Sequence, residues 1–444
     1  MSMPVSIEDA VLQRIVPGPE LAEEIRATTE RMKAETERYL EENNISADVR
    51  CVGSVAKGTF LTDPDIDLFV MFPNGTSREE MERKGLRIGE DILGGKRMYA
   101  EHPYITGRYG GFEVDMVPCY KVTSPEKMLS AVDRTPFHTD YVLSNTDAAM
   151  RDQIRLLKVF MKGIWAYGAE PNNRGFSGYL CELLVIRYGS FRAVLEAGAA
   201  WKEGISIAID KKGPPMVAPL VFYDPVDPRR NVASAVHVDT FALFITACKA
   251  YLSNPSENFF FPSARVPLPA AELRRLVKVH GSRLLTATFK RPDINEDNLH
   301  SQMWKTRYAL SKKLDAFSFN VLRTVHDLGN EELAFIFELE RDLLSKTFKH
   351  VGPPVWVGSA ESFLEKWRTN EFGEPFIEDG VWKVIAERMY FTAAEMLAEE
   401  AVFSGIGREI DPGTMRILDH DDTLSMADAG LLTELLDPKL PWEI

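Results

Sequence analysis

The stretch GSVAKGTFLTDPDIDLFVMF, Gly53 to Phe72, decides how this chain is read. A Gly-Ser turn leads, across ten residues, to Asp65-Ile66-Asp67 and an apolar strand. Successive side chains of a strand point to opposite faces, so Asp65 and Asp67 share one face and Ile66 and Leu68 the other. Adjacent carboxylates repel, which costs stability unless a cation lies between them. The pair is therefore a metal-site candidate.

Outside this stretch, composition sets the frame. At 444 residues the chain exceeds one ordinary core, and roughly two to four domains are expected. Hydrophobic content of 45% and charged content of 27% read as soluble and globular. No run of about 18 apolar residues suggests a membrane span, and no secretory signal opens the chain. Cys51, Cys119, Cys181 and Cys248 are scattered without a CxxC pair. That disfavours a zinc site or a disulfide framework and favours reduced thiols in a cytoplasm. The net charge of −14 argues against a generic nucleic-acid binder. Yet Glu272–Asp315 holds ten Lys+Arg against five Asp+Glu, a local +5 in a chain otherwise at −19. A polyanion could dock there; a solvated pair of helices is the plainer reading.

The remaining patterns surround the acidic stretch. Pro19–Asn43 has apolar or Tyr positions at helical spacing, Leu21, Ile25, Met32, Tyr39 and Leu40. A short strand, Asp48–Val52, precedes the Gly53-Ser54 turn. Val55–Leu61 reads as a helical turn that Asp63-Pro64 breaks. Ser77 caps a helix to about Leu93 with Glu80 at capping-box spacing. Arg97–Ile105 and Gly111–Pro118 read as strands. Helices are expected over Arg151–Gly163, Gly178–Tyr188 and Asp239–Leu252, the last capped by Asp239. Ile205–Ile209 and Val217–Tyr223 read as extended, and Asp224-Pro225-Val226-Asp227-Pro228 as a rigid turn. Asn254–Pro269, rich in Pro and Ser, is a domain-boundary candidate. Further on, Glu331–Phe348 reads as a helix and Phe376–Tyr390 as a strand.

The strand FEVDMVP adds a third carboxylate, Asp115. Three carboxylates on two adjacent strands suit two magnesium ions about 3.5–4 Å apart, clamping an attacking hydroxyl and a leaving phosphate oxygen. Gly53 lets backbone approach a phosphate closely, while Ser54 and the following amides could hold a triphosphate. Lys57 lies on the same turn. A lone DxD is weak; Gly-Ser, then Asp-x-Asp in a strand, then a third apolar-flanked Asp is specific. This combination resembles the DNA polymerase beta nucleotidyltransferase superfamily.

Narrower blocks follow: AEHPYITG, FEVDMVPCYK, SAVDRTPFH, RLLKVFMKGIWAYGAE, RGFSGYLCELL and DPVDPRRNVA, with FFFPSARVPL and FKRPDINEDNL more loosely. Together they resemble the archaeal (class I) CCA-adding tRNA nucleotidyltransferases. The resemblance implies an α+β multidomain protein with a polymerase-beta-like head on a mixed/antiparallel sheet, a helical central domain and α/β C-terminal domains. The expected boundaries are 1–145, 146–256 and 257–444. It implies Asp65, Asp67 and Asp115 as ligands of two Mg²⁺ ions, with Asp115 also placed to take the proton of the acceptor hydroxyl. Ser54, Lys57, His138, Lys158 and Tyr167 match nucleotide contacts, and Arg230 an arginine near the base. The expected partners are CTP, ATP and tRNA lacking all or part of its 3′ CCA; no membrane is expected, and a homodimer stays open. Two positions depart from the family pattern, which usually has Glu at Asp65 and Arg at Lys57. Without the resemblance, His138 reads as a turn histidine, Lys158 as a snorkelling lysine, and Tyr167 and Tyr179 as core aromatics. Arg174 reads as a surface residue. The rival readings are a poly(A) polymerase or oligoadenylate-synthase-like enzyme and a catalytically silent RNA-binding protein.

Overall fold

The computed structural model describes residues 6–99 and 103–444. Residues 100–102 lie outside the described residues, so the part of the AEHPYITG block at Glu101 and His102 is not placed. Contacts group the chain into two compact units, Met1–Ala264 with Leu440–Ile444, and Arg265–Lys439.

The first unit begins with α1 (Ile7–Ile15) and α2 (Pro19–Glu42), then β1 (Asp48–Val52) and the short α3 (Gly53–Lys57). β2 (Ile66–Pro73), α4 (Arg78–Leu93), β3 (Lys96–Tyr99), β4 (Pro103–Tyr109) and β5 (Phe112–Lys121) follow. They form one five-stranded sheet in the order β1-β2-β5-β4-β3. β2 and β5 pair in parallel and their neighbours antiparallel, which makes the sheet mixed. β2 reads as a near-continuous apolar run because it is buried on both faces: Ile66, Leu68 and Val70 join the core shared with Met32 of α2 and Ile88 of α4, and Phe69 packs with Val52 and Cys119. Ser77 caps α4 by accepting from the Glu80 amide at 3.3 Å.

Next come α5 (Thr135–Asn145), α6 (Ala148–Gly163), α7 (Gly178–Tyr188), α8 (Phe191–Ala199), the short parallel pair β6 (Ile205–Ile207) and β7 (Leu220–Phe222), and α9 (Val238–Ser253). α6 to α9 share a core in which Phe160, Phe191 and Tyr251 meet edge to face, and Trp442 stacks on Phe259 at 5.0 Å. α9 departs from expectation at its start. His237, not Asp239, is the N-cap, its Nδ1 accepting from the Asp239 amide. Asp239 sits in the first turn, where its charge suits the helix dipole.

The second unit contains α10 (Ala270–His280), β8 (Arg283–Lys290), α11 (Glu296–Ala316), β9 (Val321–Leu328) and β10 (Glu332–Leu339). β11 (Thr347–Pro354), α12 (Ala360–Trp367), β12 (Phe376–Glu378), β13 (Val381–Glu387), α13 (Ala393–Glu400), β14 (Arg416–Leu418), α14 (His420–Met426) and α15 (Ala429–Leu436) complete it. Its main sheet runs β14-β8-β10-β9, and a smaller one runs β11-β13-β12.

The helix expected over Glu331–Phe348 is wrong. β10 occupies its first half and β11 begins at Thr347. β10 is bonded on both edges, to β8 and β9, and covered on both faces. Leu333, Phe335, Phe337 and Leu339 enter one core and Ile336 another. A strand buried on both sides loses its alternation and mimics a helical run. Similarly, Phe376–Tyr390 is a hairpin rather than one strand, since Asp379 and Gly380 take φ of 56° and 75°, the primed turn that Asp-Gly favours.

Candidate active site

The sheet register makes the centre of the site. Asp67 of β2 and Asp115 of β5 are direct partners across the parallel pair, both half-buried. Val52 of β1 lies opposite Asp67, so the chain leaves β1 beside that carboxylate and turns at Gly53. Gly53 has φ of +69°, and a Cβ built there would lie 1.8 Å from Asp67 Oδ2. Only glycine fits this turn, for both steric and conformational reasons. Asp65 is exposed and sits one residue before the strand begins. Ser54 follows on α3, half-buried, with no side-chain hydrogen bond among the described residues.

The electrostatics are those of crowded anions. Burial and then the Asp115 charge push the Asp67 carboxyl up to about 7, with Lys57 opposing and Asp65 adding to the rise. Burial also raises Asp115, against a hydrogen bond from the Thr106 hydroxyl to its Oδ1. Although Asp65 is exposed as a residue, partial burial of its carboxyl and then Glu113, Asp115 and Asp63 raise it, with Lys162 partly compensating. Among the described residues, no three His, Cys, Asp or Glu side chains are grouped tightly enough to hold a metal alone. Asp67 and Asp115 are direct register partners, and Asp65 is within electrostatic reach of both. That still fits magnesium, which takes one or two protein carboxylates and completes its shell with water and phosphate oxygens.

Behind the acids the helper cations are gathered by two carboxylates that sequence reasoning missed. Glu182 of α7 is buried. Its Oε2 accepts from Lys57 Nζ at 2.8 Å, and its Oε1 accepts from Lys158 Nζ at 3.1 Å and the Thr59 hydroxyl at 2.6 Å. Burial alone would raise this carboxyl, but Lys57 and Lys158 outweigh it and hold it down at about 2. Lys158 Nζ also donates to Thr59 Oγ1 at 3.0 Å and to the Thr59 carbonyl at 3.2 Å, which commits its three protons. Among the described residues Lys57 is hydrogen-bonded only to Glu182, and it lies 5.2 Å from the Tyr179 ring centroid.

The second carboxylate is Asp224, in the loop after β7. It pairs with His138 Nε2 at 2.8 Å and Arg230 Nη1 at 3.0 Å. Burial lowers His138, with Asp224 opposing, so the ring favours its neutral form. Tyr179 stacks on His138 at 3.9 Å and thereby joins the two clusters. Tyr167 is half-buried, its backbone bridged to Phe176, and its hydroxyl would meet a Cβ at Gly178 at 2.8 Å. Lys162 lies 5.4 Å from its ring centroid. Of the residues singled out from sequence, the fold thus brings Asp67 and Asp115 together, Lys57 and Lys158 onto Glu182, and His138 and Arg230 onto Asp224. One signal was available for Glu182: a lone carboxylate inside GYLCELLVI, an otherwise apolar helix, is buried only if paired. For Asp224 the Pro-flanked turn gave rigidity but no partner.

A mixed sheet that sets two aspartates in register under a glycine turn, with buried lysines behind them, is the head of a nucleotidyltransferase. Family models agree along the chain: "Nucleotidyltransferase domain" at residues 33–138, "tRNA nucleotidyltransferase, second domain" at 152–261, and "CCA-adding enzyme, C-terminal domain" at 280–414. The CCA-adding enzyme of Methanosarcina barkeri (strain Fusaro / DSM 804) is 40% identical over 418 residues, 92% of each chain. That of Methanosarcina acetivorans is 38% identical over 420 residues, again 92% of each. That of Halobacterium salinarum (strain ATCC 29341 / DSM 671 / R1) is 36% identical over 453 aligned positions, covering 100% of this chain and 98% of the relative. This chain belongs to the CCA-adding enzyme family of tRNA nucleotidyltransferases.

Proposed function

We propose that the chain adds C, C and A to the 3′ end of tRNA lacking all or part of that sequence, consuming CTP and ATP and releasing pyrophosphate. Enzymes of this kind use divalent metal ions. Here Asp67 and Asp115, with Asp65, would hold two Mg²⁺. The observation that carries the reading is the in-register pair of raised, mutually repelling carboxylates beside Lys57. When bound, the ions supply stabilisation of the charge that develops on the attacking and leaving oxygens.

The residues of the chain do the rest. Asp115 accepts the proton of the tRNA 3′-hydroxyl as it attacks the α-phosphate. The Thr106 hydroxyl holds that carboxylate in place. Lys57 and Ser54 bind the triphosphate, with Lys158, Tyr167 and His138 lining it. The positive charge of the Lys57–Glu182–Lys158 cluster, two ammoniums against one carboxylate, favours that polyanion. Arg230 lies at the base. C and A both present an amino donor beside a ring-nitrogen acceptor, whereas U and G present a carbonyl and a ring N–H. The division is into a head (1–145), a helical part (146–256) and a tRNA-binding part (257–444). The separate cores of the sheet and of α6–α9 support the first boundary, although the helical core also takes in Val11 and Ile15 of α1 and Trp442 near the C-terminus. No helix among the described residues is long and apolar enough to cross a membrane. The four free cysteines favour a cytoplasmic setting.

The test is product analysis. Purified protein is incubated with Mg²⁺, each labelled NTP, and tRNAs ending before C74, C75 or A76. Sequenced products should stop after one A. A long A tail would establish a poly(A) polymerase instead, and no incorporation would leave only an RNA-binding protein.

A further inference from the structure

We propose that Asp224 is a positioning residue that sets nucleobase selectivity by fixing Arg230 against His138. The inference rests on the reading that Arg230 lies at the base. Asp224 is completely buried, and every acceptor position it shows is used. Its Oδ2 takes both His138 Nε2 at 2.8 Å and Arg230 Nη1 at 3.0 Å. Its Oδ1 takes the Tyr179 hydroxyl at 3.3 Å and the Val226 amide at 3.0 Å. Two side chains from distant parts of the sequence therefore share one oxygen.

The loop carrying Arg230 is closed around that carboxylate. The Asp224 amide donates to the Arg230 carbonyl at 3.1 Å, and the Arg230 amide to the Asp227 carbonyl at 2.9 Å. The Arg230 side chain is about one-third exposed (34%), so its remaining donors are open to a ligand. His138 is held from its other side by the Tyr179 ring, stacked at 3.9 Å with 19° between planes.

The need for such a brace follows from the chemistry of arginine. A guanidinium only donates, and a free one can swing to whichever acceptor a base presents. Swinging would let it bond the carbonyl of U or G as readily as the ring nitrogen of C or A. Fixed on Asp224, it meets an acceptor at one position only, and a base with a ring N–H there leaves both donors unpaired. Asp224 touches no substrate in this scheme; it acts through Arg230.

The experiment measures kcat/KM for CTP, UTP, ATP and GTP on tRNAs ending before C74 and before A76. Asp224→Asn keeps the size but turns an NH₂ toward two of the four donors that the carboxylate now accepts. The CTP/UTP and ATP/GTP ratios should each fall by about tenfold or more. Arg230→Lys should lower the same ratios, and the double variant should fall no further than Arg230→Lys alone. If Arg230→Lys keeps full selectivity, the base reading fails and the proposal fails with it. If Arg230→Lys loses selectivity while Asp224→Asn keeps it, or if the two losses add, the proposal alone is overturned. Should Asp224→Asn not fold, Tyr179→Phe removes one donor from the carboxylate. It should cut the ratios by about two- to threefold, a typical value for one hydrogen bond, and unchanged ratios would reject the brace.

Discussion

Two groups of buried or half-buried carboxylates lie in one unit and behave oppositely. Asp67 and Asp115 face each other across β2 and β5 and are both raised. Glu182 and Asp224 are more deeply buried, yet both are held below the ordinary carboxylate range. Depth does not separate them; partners do. Glu182 and Asp224 carry their cations with them, from Lys57, Lys158 and Arg230. Among the described residues the strand pair has the field of Lys57 and the hydroxyl of Thr106 but no paired cation, so the rest of its compensation must come from outside. A folded site that waits for a ligand keeps its repulsion, and a brace that must not move has none left.

That contrast can be broken by mutation. Asp67→Asn should lower nucleotide incorporation by roughly a thousandfold or more, because a neutral amide is a poor magnesium ligand. The metal-free protein should nevertheless melt at a higher temperature, since one of two repelling charges is gone. A lower melting temperature would show that the repulsion is unimportant. Glu182→Gln should do the reverse to stability. It leaves two buried ammoniums without a counter-charge, at a cost of about 3–5 kcal/mol, read as a shift in the urea midpoint. Incorporation at low NTP should also fall, as a rise in KM. Gly53→Ala comes next. The added methyl occupies the place of Asp67 Oδ2, so either the turn or the carboxylate must move. A displacement of that order costs roughly a hundredfold in kcat with the fold kept, which circular dichroism would confirm.

A smaller effect is expected from pH. Asp67 titrates at 3.8 when unperturbed and at about 7 in the fold. Between those values the folded state binds the extra proton, so this group makes metal-free stability fall as pH rises from about 4 to 7, and the penalty stays complete above 7. Melting curves of the metal-free protein at pH 5.5 and 8 should show that slope, and Asp67→Asn should flatten it. Added Mg²⁺ should raise the melting temperature more at pH 8 than at 5.5. The smallest change is Thr106→Val, which removes one hydrogen bond to Asp115 and should lower kcat only a few-fold, about 1 kcal/mol.

Much of the head was legible because its signals are local. The Gly53 turn, the alternation at Asp65-Ile66-Asp67 and the Ser77 N-cap each depend on residues within one turn or strand. Of the expected capping box only the Ser77 half forms, the Glu80 side chain pairing with Lys84 instead. The pairing of Asp67 with Asp115 could be anticipated as two adjacent strands, though not its parallel sense. What escaped was non-local. Glu182 meets Lys57 across 125 positions and Asp224 meets His138 across 86, and no spacing rule reaches that far. β10 reads as a helix in the sequence for a related reason: its burial on both faces is decided by α11 and α15, elements outside its own sequence.

The parallel pairing of β2 and β5 has a consequence for how the site can vary. The described residues of the excursion between β2 and β5, with α4, β3 and β4, lie outside the register that sets Asp67 beside Asp115. Insertions and deletions in the turns of that excursion leave the two acids face to face. A single-residue deletion within β5 before Asp115 would turn the acid to the opposite face of the sheet. The head is thus tolerant of length changes in one crossover and intolerant of them in two strands. Naturally varying relatives should accumulate their indels accordingly.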